Sequence, residues 1–210
     1  ETGAHWRKYG CAMRQYMDRP TVRLWERLSV SLADLKPRDV VVSMHLRFGD
    51  GHMVAYASGE GLVHKEDDRL STEALEKMHL WLGKFIRALE SRSEKGRLRV
   101  RLFVASDVPQ GLADVQKRWG DRVLPLAPKV VYHSNFAVAF KGKKASHESV
   151  VSDIISDWIL LGMSDVLLQP MDSTFSRSAE VFGMRDHCYF FKQFPQADIG
   201  PCVEDIVRSL

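Results

Sequence analysis

The stretch Val40-Val41-Val42-Ser43-Met44-His45-Leu46-Arg47-Phe48-Gly49-Asp50 decides the fold of this chain. Its three consecutive β-branched valines open an uncharged apolar run, which is typical of a strand buried on both faces of a parallel sheet. The run ends in polar residues that supply an imidazole, a guanidinium and a carboxylate, and Gly49-Asp50-Gly51 predicts a turn. Open α/β sheets bind ligands in the crevice beyond the carboxyl ends of their strands. The stretch therefore predicts a central buried strand that leads into a candidate binding site.

Length and composition are those of one globular domain. The chain has 210 residues, of which 45% are hydrophobic and 27% are charged, and this excludes disordered and collagen-like classes. The net charge of +3 is too small to indicate nucleic acid as a partner. No apolar run reaches the ~18 residues that a membrane span requires, so we expect no span in this chain.

The amino terminus and the cysteines bear on the cellular compartment. Glu1-Thr2-Gly3 reads as a vector-derived remnant left after secretion, so the expected domain is residues 4–210, in a luminal or extracellular protein. The three cysteines, Cys11, Cys188 and Cys202, permit one disulfide, for which Cys188 with Cys202 is the preferred pair. The alternative is three buried, reduced thiols.

Helical and strand patterns alternate along the chain. Helices are predicted over 18–35, 71–96, 109–120, 147–161, 172–183 and 203–210, and strands over 40–46, 97–105, 123–126, 166–168 and 188–191. The segments 50–70 and 127–146 show neither period and are predicted to be loops. Such alternation, with short apolar strands, predicts an α/β fold in which helices cover both faces of a parallel sheet.

Three polar segments follow predicted strands and should therefore share one edge of the sheet. They are the segment that begins at His45, the pair Ser106-Asp107, and the helix start from Asp172 to Ser176. Because the carboxyl ends of parallel strands meet at the same edge, we expect these segments to converge on one crevice.

Arg47 and Asp107 each have two interpretations. A guanidinium directly after a buried strand needs an anion, and this is either a diphosphate or a carboxylate such as that of Asp50. The Asp107 carboxylate either accepts hydrogen bonds from the edge of guanine or caps the helix that Pro109 opens.

The other polar residues at this edge are also open to two interpretations. Ser173 and Thr174 either bind phosphate at a helix amino terminus or cap that helix. His45 either hydrogen-bonds a ligand or is a satisfied core residue. The histidines show no zinc-site spacing, so no metal is expected, and the motifs of dinucleotide-binding, P-loop and esterase enzymes are not found.

Three motifs, in this order, resemble the fucosyltransferases of the protein O-fucosyltransferase and α1,6-fucosyltransferase superfamily. His45-Leu46-Arg47-Phe48-Gly49-Asp50 is similar to the family's His-x-Arg-x-Gly-Asp signature, and Val104-Ala105-Ser106-Asp107 is similar to its Val-Ala-Thr-Asp segment. Asp157-Trp158 through Ser173-Thr174-Phe175 resembles its Asp-x-x-x-Leu and Ser-Ser-Phe block. The likeness extends over most of the chain from Cys11 onward. It implies a Rossmann-like three-layer sandwich with a mostly parallel sheet, as in the C-terminal domain of GT-B glycosyltransferases.

The resemblance also implies an activity. The family transfers fucose from GDP-fucose, with inversion and without a metal, to a protein or glycan hydroxyl in the lumen of the endoplasmic reticulum or Golgi. This chain would correspond to the C-terminal, donor-binding half. The N-terminal half, which supplies much of the acceptor site in the family, is expected to have been removed, to lie on another chain or to have been lost. The alternative function is a non-catalytic recognition module that keeps the fold and binds a protein or a glycan.

The residues expected to bind the donor lie in the three motifs. Arg47 would hold the β-phosphate and, as the catalytic residue, stabilise the charge that develops when GDP leaves. Asp107 would read guanine. Ser173, Thr174 and Phe175 would contact phosphate. The rest of the expected donor site consists of His45, Gly49 and Asp50, with Asp50 shaping the site rather than acting as a base.

Overall fold

The structure is a computed structural model that describes residues 22–48, 72–92, 98–107, 109–126, 147–170, 173–183, 188–190, 194 and 197–209. Its helices are α1 (Val22–Leu32), α2 (Thr72–Arg92), α3 (Pro109–Trp119), α4 (His147–Gly162), α5 (Thr174–Gly183) and α6 (Gly200–Ser209), with a 3-10 turn at Gly120–Arg122. Its strands are β1 (Asp39–Leu46), β2 (Arg99–Ser106), β3 (Val166–Gln169) and β4 (Cys188–Phe190). The two predicted loops, 50–70 and 127–146, lie outside the described residues, as do Gly49, Asp50 and Asp172.

The four strands form one parallel sheet in the order β2-β1-β3-β4. The central strand β1 pairs with β2 along its whole length, from Asp39 opposite Arg99 to Leu46 opposite Ser106. Burial of β1 on both faces confirms the prediction made from its valines. The strand predicted over 123–126 is reduced to a single bridge between Val123 and Leu102.

Helices cover the sheet on both faces, which confirms the predicted Rossmann-like three-layer α/β sandwich. One apolar cluster joins Val40, Val42 and Met44 of β1 to the buried sides of α2, α3 and α6. A second cluster joins Phe103 and Leu167 to α1, α4 and α5. Alternate residues of each strand point to opposite faces, and this period of two divides the core into two halves.

The longest helix, α2, buries the residues that the helical spacing of apolar side chains predicts to be buried. Helix α2 buries the apolar residues that recur at helical spacing, namely Leu75, Met78, Leu82, Phe85, Ile86 and Leu89. An acidic residue in its first turn and a basic residue in its last turn complement the helix dipole.

Arg101 departs from the expectation for β2. The alternation of arginines with apolar residues over 97–101 predicts that the strand starts in solvent, yet Arg101 is only 5% exposed. Its guanidinium pairs with Asp34, which follows α1. The prediction is wrong for Arg101, because a partner 67 positions away neutralises the buried charge, whereas the Arg99 side chain at the start of the strand is 36% exposed.

The strand order makes the edge beyond β1 and β3 the expected place for a ligand crevice. The chain passes from β1 to β2 on one side and then to β3 on the other side of β1. Doubly wound sheets bind ligands where the direction of winding reverses, beyond the carboxyl ends of the strands. Among the described residues, no helix has the length and apolar character needed to cross a membrane.

Candidate functional site

The structure brings the three polar segments together at the carboxyl edge of the sheet. The Asp107 N–H donates to the Leu46 carbonyl over 3.2 Å, which joins the ends of β1 and β2. The His45 ring lies 5.4 Å from the Phe175 ring, centroid to centroid, which joins the end of β1 to the start of α5. The candidate site is therefore the crevice at the end of β1, with the β2 end on one side and the α5 start on the other.

His45 is buried and electrically neutral. It is 7% exposed, and burial, assisted by the neighbouring Arg47 charge, lowers its pKa to about 3. Its Nδ1 is shielded from solvent and has no hydrogen-bond partner among the residues that the structure describes. A buried polar atom without a hydrogen bond costs about 1–3 kcal/mol, and the described residues leave this nitrogen unsatisfied. The imidazole can exchange a hydrogen bond with a ligand in the crevice.

Among the described residues, Arg47 places a positive charge at the end of β1. Its side chain is 16% exposed, and its Nε lies 3.9 Å from Oδ2 of Asp107. The carboxylate alternative for Arg47 is thus realised with Asp107, while Asp50 lies outside the described residues. At this separation the two groups attract as charges but do not form a short charge-assisted hydrogen bond.

Asp107 holds the segment that follows β1. The residue is 5% exposed, and its Oδ1 accepts a hydrogen bond of 3.0 Å from the Phe48 N–H. One carboxylate oxygen therefore fixes the backbone beside Arg47, and the other faces the Arg47 guanidinium.

The Phe48 ring packs against α3 at Gly111. A Cβ on Gly111 would lie 2.5 Å from Cε2 of Phe48 and 2.6 Å from Oγ of Ser106. Only a residue without a side chain leaves room for the ring, so Gly111 sets how closely α3 approaches the site. Gly111 is not among the site residues predicted from sequence, although a glycine in the interior of a predicted helix is a signal of close packing.

The start of α5 is capped by a buried serine and carries an exposed threonine. Ser173 is buried, and its Oγ accepts a long hydrogen bond of 3.5 Å from the Ser176 N–H, which realises the capping alternative. Thr174 is exposed, and Phe175 is partly buried against His45.

The cysteine prediction is contradicted for Cys202. Its thiol is free and fully buried in the apolar core on α6, where burial raises its pKa to about 12. The Cys188–Cys202 disulfide is therefore not present in the structure; the Cys188 side chain lies outside the described residues. Within the described ranges, no group of three His, Cys, Asp or Glu side chains could hold a metal. The expectation of metal-free chemistry stays a prediction.

A cleft of about 580 Å³ lies elsewhere on the molecule. It is lined by Asp34, Arg101, Gln116 and Asp121, among others, near the beginning of β2 rather than its carboxyl end. Its buried guanidinium is already paired with Asp34, and a second carboxylate lines it, so it is a poor site for an anion. The chemistry of the crevice at β1 is better suited to a charged ligand.

Comparison with known proteins finds distant similarity among solved structures. No family model matches the chain, and no curated protein matches it significantly. Crystal structures of NodZ α1,6-fucosyltransferase co-crystallised with GDP, and of fucosyltransferase NodZ from Bradyrhizobium, align with 16% and 17% identity. Both have TM-scores of 0.43, covering 75% and 76% of this chain and 40% and 41% of theirs. A NodZ crystal soaked with GDP-fucose aligns with a TM-score of 0.43 and 16% identity, over 78% of this chain and 43% of that one. The chain thus spans about two fifths of these proteins, and similarity of this degree assigns it neither a ligand nor an activity.

Proposed function

We propose that this chain is the donor-binding domain of a glycosyltransferase and that it holds GDP-fucose in the crevice between β1 and β3. One observation carries the proposal. At the point where the winding of the sheet reverses, a buried imidazole nitrogen without a partner among the described residues lies beside a guanidinium. Such a pair of groups suits a ligand that is both anionic and rich in hydrogen-bonding atoms. The three-motif resemblance supplies the identity of that ligand.

Arg47 would act on the diphosphate. The bond from fucose to GDP breaks with positive charge on the sugar and negative charge on the departing phosphate, and a preorganised cation stabilises that phosphate. The Arg47 guanidinium can bind two phosphate oxygens at once, and its anchorage after a buried strand limits its reorganisation.

His45 would act as a neutral hydrogen-bonding group. Because its pKa is about 3 in the ligand-free chain, the imidazole meets an entering ligand as an uncharged group at physiological pH. Its contact with Phe175 limits rotation of the ring and keeps it at the crevice. A bound diphosphate would offset the Arg47 charge and so raise the His45 pKa.

Transfer of the sugar is the finer part of the proposal. We propose inverting transfer to a protein or glycan hydroxyl in the lumen of the secretory pathway, without a metal, as the motif resemblance implies. The acceptor and the base that deprotonates its hydroxyl would come from protein outside the described residues.

A second function, a non-catalytic recognition module, is favoured by one contact. Arg47 already faces the Asp107 carboxylate, so these two described charges compensate each other without any ligand. In a recognition module this ion pair would be purely structural, and nucleotides would not compete for it.

Calorimetric titration of the chain with GDP, GDP-fucose and UDP distinguishes the two functions. The donor-binding proposal predicts binding of GDP and GDP-fucose, tighter than UDP, and a loss of about tenfold or more in Arg47→Ala. Arg208→Ala is the matched control, because Arg208 is an exposed arginine on α6 and its removal should leave the affinity unchanged. No heat of binding with either guanine nucleotide would overturn the proposal and leave the recognition module.

A further inference from the structure

Asp107, which follows β2, is hydrogen-bonded to the backbone on both sides of Arg47, at the end of β1. Its own N–H donates to the Leu46 carbonyl over 3.2 Å, and its Oδ1 accepts from the Phe48 N–H over 3.0 Å. These two hydrogen bonds bracket Arg47 in the sequence. The carboxylate is therefore fixed relative to the very residue whose side chain it faces.

The second carboxylate oxygen makes a loose contact with Arg47. The distance of 3.9 Å from Nε to Oδ2 is longer than the ~2.7–2.9 Å of a charge-assisted hydrogen bond. The side chain of Asp107 is 3% exposed and that of Arg47 is 16% exposed, so water screens the attraction only in part. The carboxylate thus orients the guanidinium without occupying its donors in a tight, two-bond geometry.

This arrangement does not suit a carboxylate that reads a nucleobase. Reading the ring N–H and the amine of guanine requires two acceptors directed at the base. Here Oδ1 serves the Phe48 amide and Oδ2 faces a cation, and the side chain has little exposed surface.

We infer that Asp107 is a positioning residue for Arg47 and competes with the diphosphate for its guanidinium, rather than reading guanine. This inference rests on the proposed function, because it assumes that a diphosphate is the anion that enters. In the absence of ligand, Asp107 compensates the buried charge of Arg47 and holds it at the crevice. When phosphate oxygens arrive, they form the short hydrogen bonds that the Asp107 contact lacks. The Asp107 charge therefore weakens the binding of every nucleoside diphosphate by the same factor, whatever its base.

The variant Asp107→Asn separates the two roles. An asparagine oxygen still accepts from the Phe48 N–H, but the negative charge facing Arg47 is removed. We expect Asp107→Asn to bind inorganic pyrophosphate, GDP and UDP about three- to tenfold more tightly than the wild type, with the preference among bases unchanged. Asp121→Asn, at an exposed site on the 3-10 turn, makes the same change in net charge and should alter none of these affinities.

Three calorimetric outcomes overturn the inference. A loss of GDP affinity with unchanged pyrophosphate binding would show that Asp107 reads the base. Unchanged affinity for all three probes would show that Asp107 and the ligand do not interact through Arg47. An equal gain in Asp121→Asn would assign the effect to net charge alone. If Asp107→Asn does not fold, Asp107→Ser takes its place, since its hydroxyl is also an acceptor.

Failure of the proposed donor-binding function and failure of the inference about Asp107 give different experimental results. If wild-type protein binds none of the three probes, the donor-binding function is overturned, and the role of Asp107 is then decided by the Arg47 Nε–H resonance in the NMR spectrum. A shift of this resonance in Asp107→Asn, absent in Asp121→Asn, supports positioning by Asp107. An unchanged resonance overturns it.

Discussion

At the scale of the residue, Gly111 determines whether Phe48 can be seated beside the candidate site. Replacement by alanine places a Cβ 2.5 Å from the Phe48 ring, and we expect Gly111→Ala to lower the free energy of unfolding by about 1–3 kcal/mol. Gly83→Ala is the matched control, because a Cβ at that helical position would lie 3.5 Å or more from its neighbours. The control should gain about 0.5–1 kcal/mol from helix propensity. Urea denaturation measures both values, and a stabilised Gly111→Ala variant would contradict the packing of Phe48 on α3.

His79 makes the stability of the fold depend on pH. Trp119 Nε1–H donates to Nδ1 of this buried histidine over 3.0 Å, and burial, with the Arg118 charge, lowers the His79 pKa to about 4. Between the ordinary value of about 6.5 and about 4, the unfolded chain takes up a proton that the folded chain does not. We therefore expect the free energy of unfolding to be highest above pH 6.5 and to fall by about 1–3 kcal/mol as the pH drops toward 4.

The variant His79→Asn isolates this effect. An asparagine oxygen can replace Nδ1 as the acceptor for Trp119, but it does not titrate. Urea unfolding at pH 5.0 and pH 7.5 should show a smaller difference in the variant, with the remainder due to His45, whose pKa is lowered in the same direction. An equal pH dependence in the variant and the wild type would rule out His79 as its source.

Some charged and polar residues could be placed from sequence and others could not. Arg47 and His45 are recognisable because they follow an uninterrupted run of valines, a local signal. The burial of Arg101 is not predictable in this way, because its partner Asp34 is 67 positions distant and alternation alone assigns arginine to solvent.

At the scale of the element, α4 and α5 pack closely through Gly162. A Cβ at this position would lie 2.7 Å from Cδ1 of Phe182 and 2.9 Å from the Ala179 carbonyl oxygen, and the carbonyl cannot rotate away. We expect Gly162→Ala to separate the two helices and to destabilise the protein by about 1–3 kcal/mol. The hydrogen bond from Trp158 Nε1–H to Ser178 Oγ, now 2.9 Å, joins the same helices and should weaken. Thermal unfolding and the indole N–H resonance measure the two effects, and a variant with both unchanged would contradict this packing.

The docking of α6 on α2 can be followed through Cys202. Its thiol is free, fully buried and has a pKa of about 12, so little thiolate is available in the folded state. We expect Cys202 to resist alkylation in native, non-reduced protein and to react once urea unfolds it. Peptide mass mapping checks this without reductant. A residue that stays unlabelled after unfolding would instead be in a disulfide, as the sequence analysis first expected.

Helices can be predicted from sequence more readily than short strands. The apolar residues of α2 recur at helical spacing along its length, so the helix and its buried face are predictable. The run at 123–126 has the composition of a strand but pairs with β2 at one position, because strand formation depends on a partner that local sequence does not specify.

At the scale of the whole molecule, the strand order determines where chemistry can occur. Alternation of helices and strands predicts a parallel sheet with two helical layers, and the structure has both. The order β2-β1-β3-β4 is a property of the crossovers rather than of any one segment. It is this order that places the carboxyl end of β1 beside both Asp107 and Phe175.

An NMR titration of the isotopically labelled chain with GDP tests whether the donor binds at the carboxyl end of β1. We predict that GDP shifts the His45 imidazole signals and raises the pKa of this side chain above its ligand-free value of about 3. The amide signals of Arg47, Phe48 and Ser173 should shift in the same titration, while those around the cleft at Gln116 and Asp121 should not. A spectrum that GDP leaves unchanged, or changes only around that cleft, would contradict the assignment of the donor site to the carboxyl end of β1.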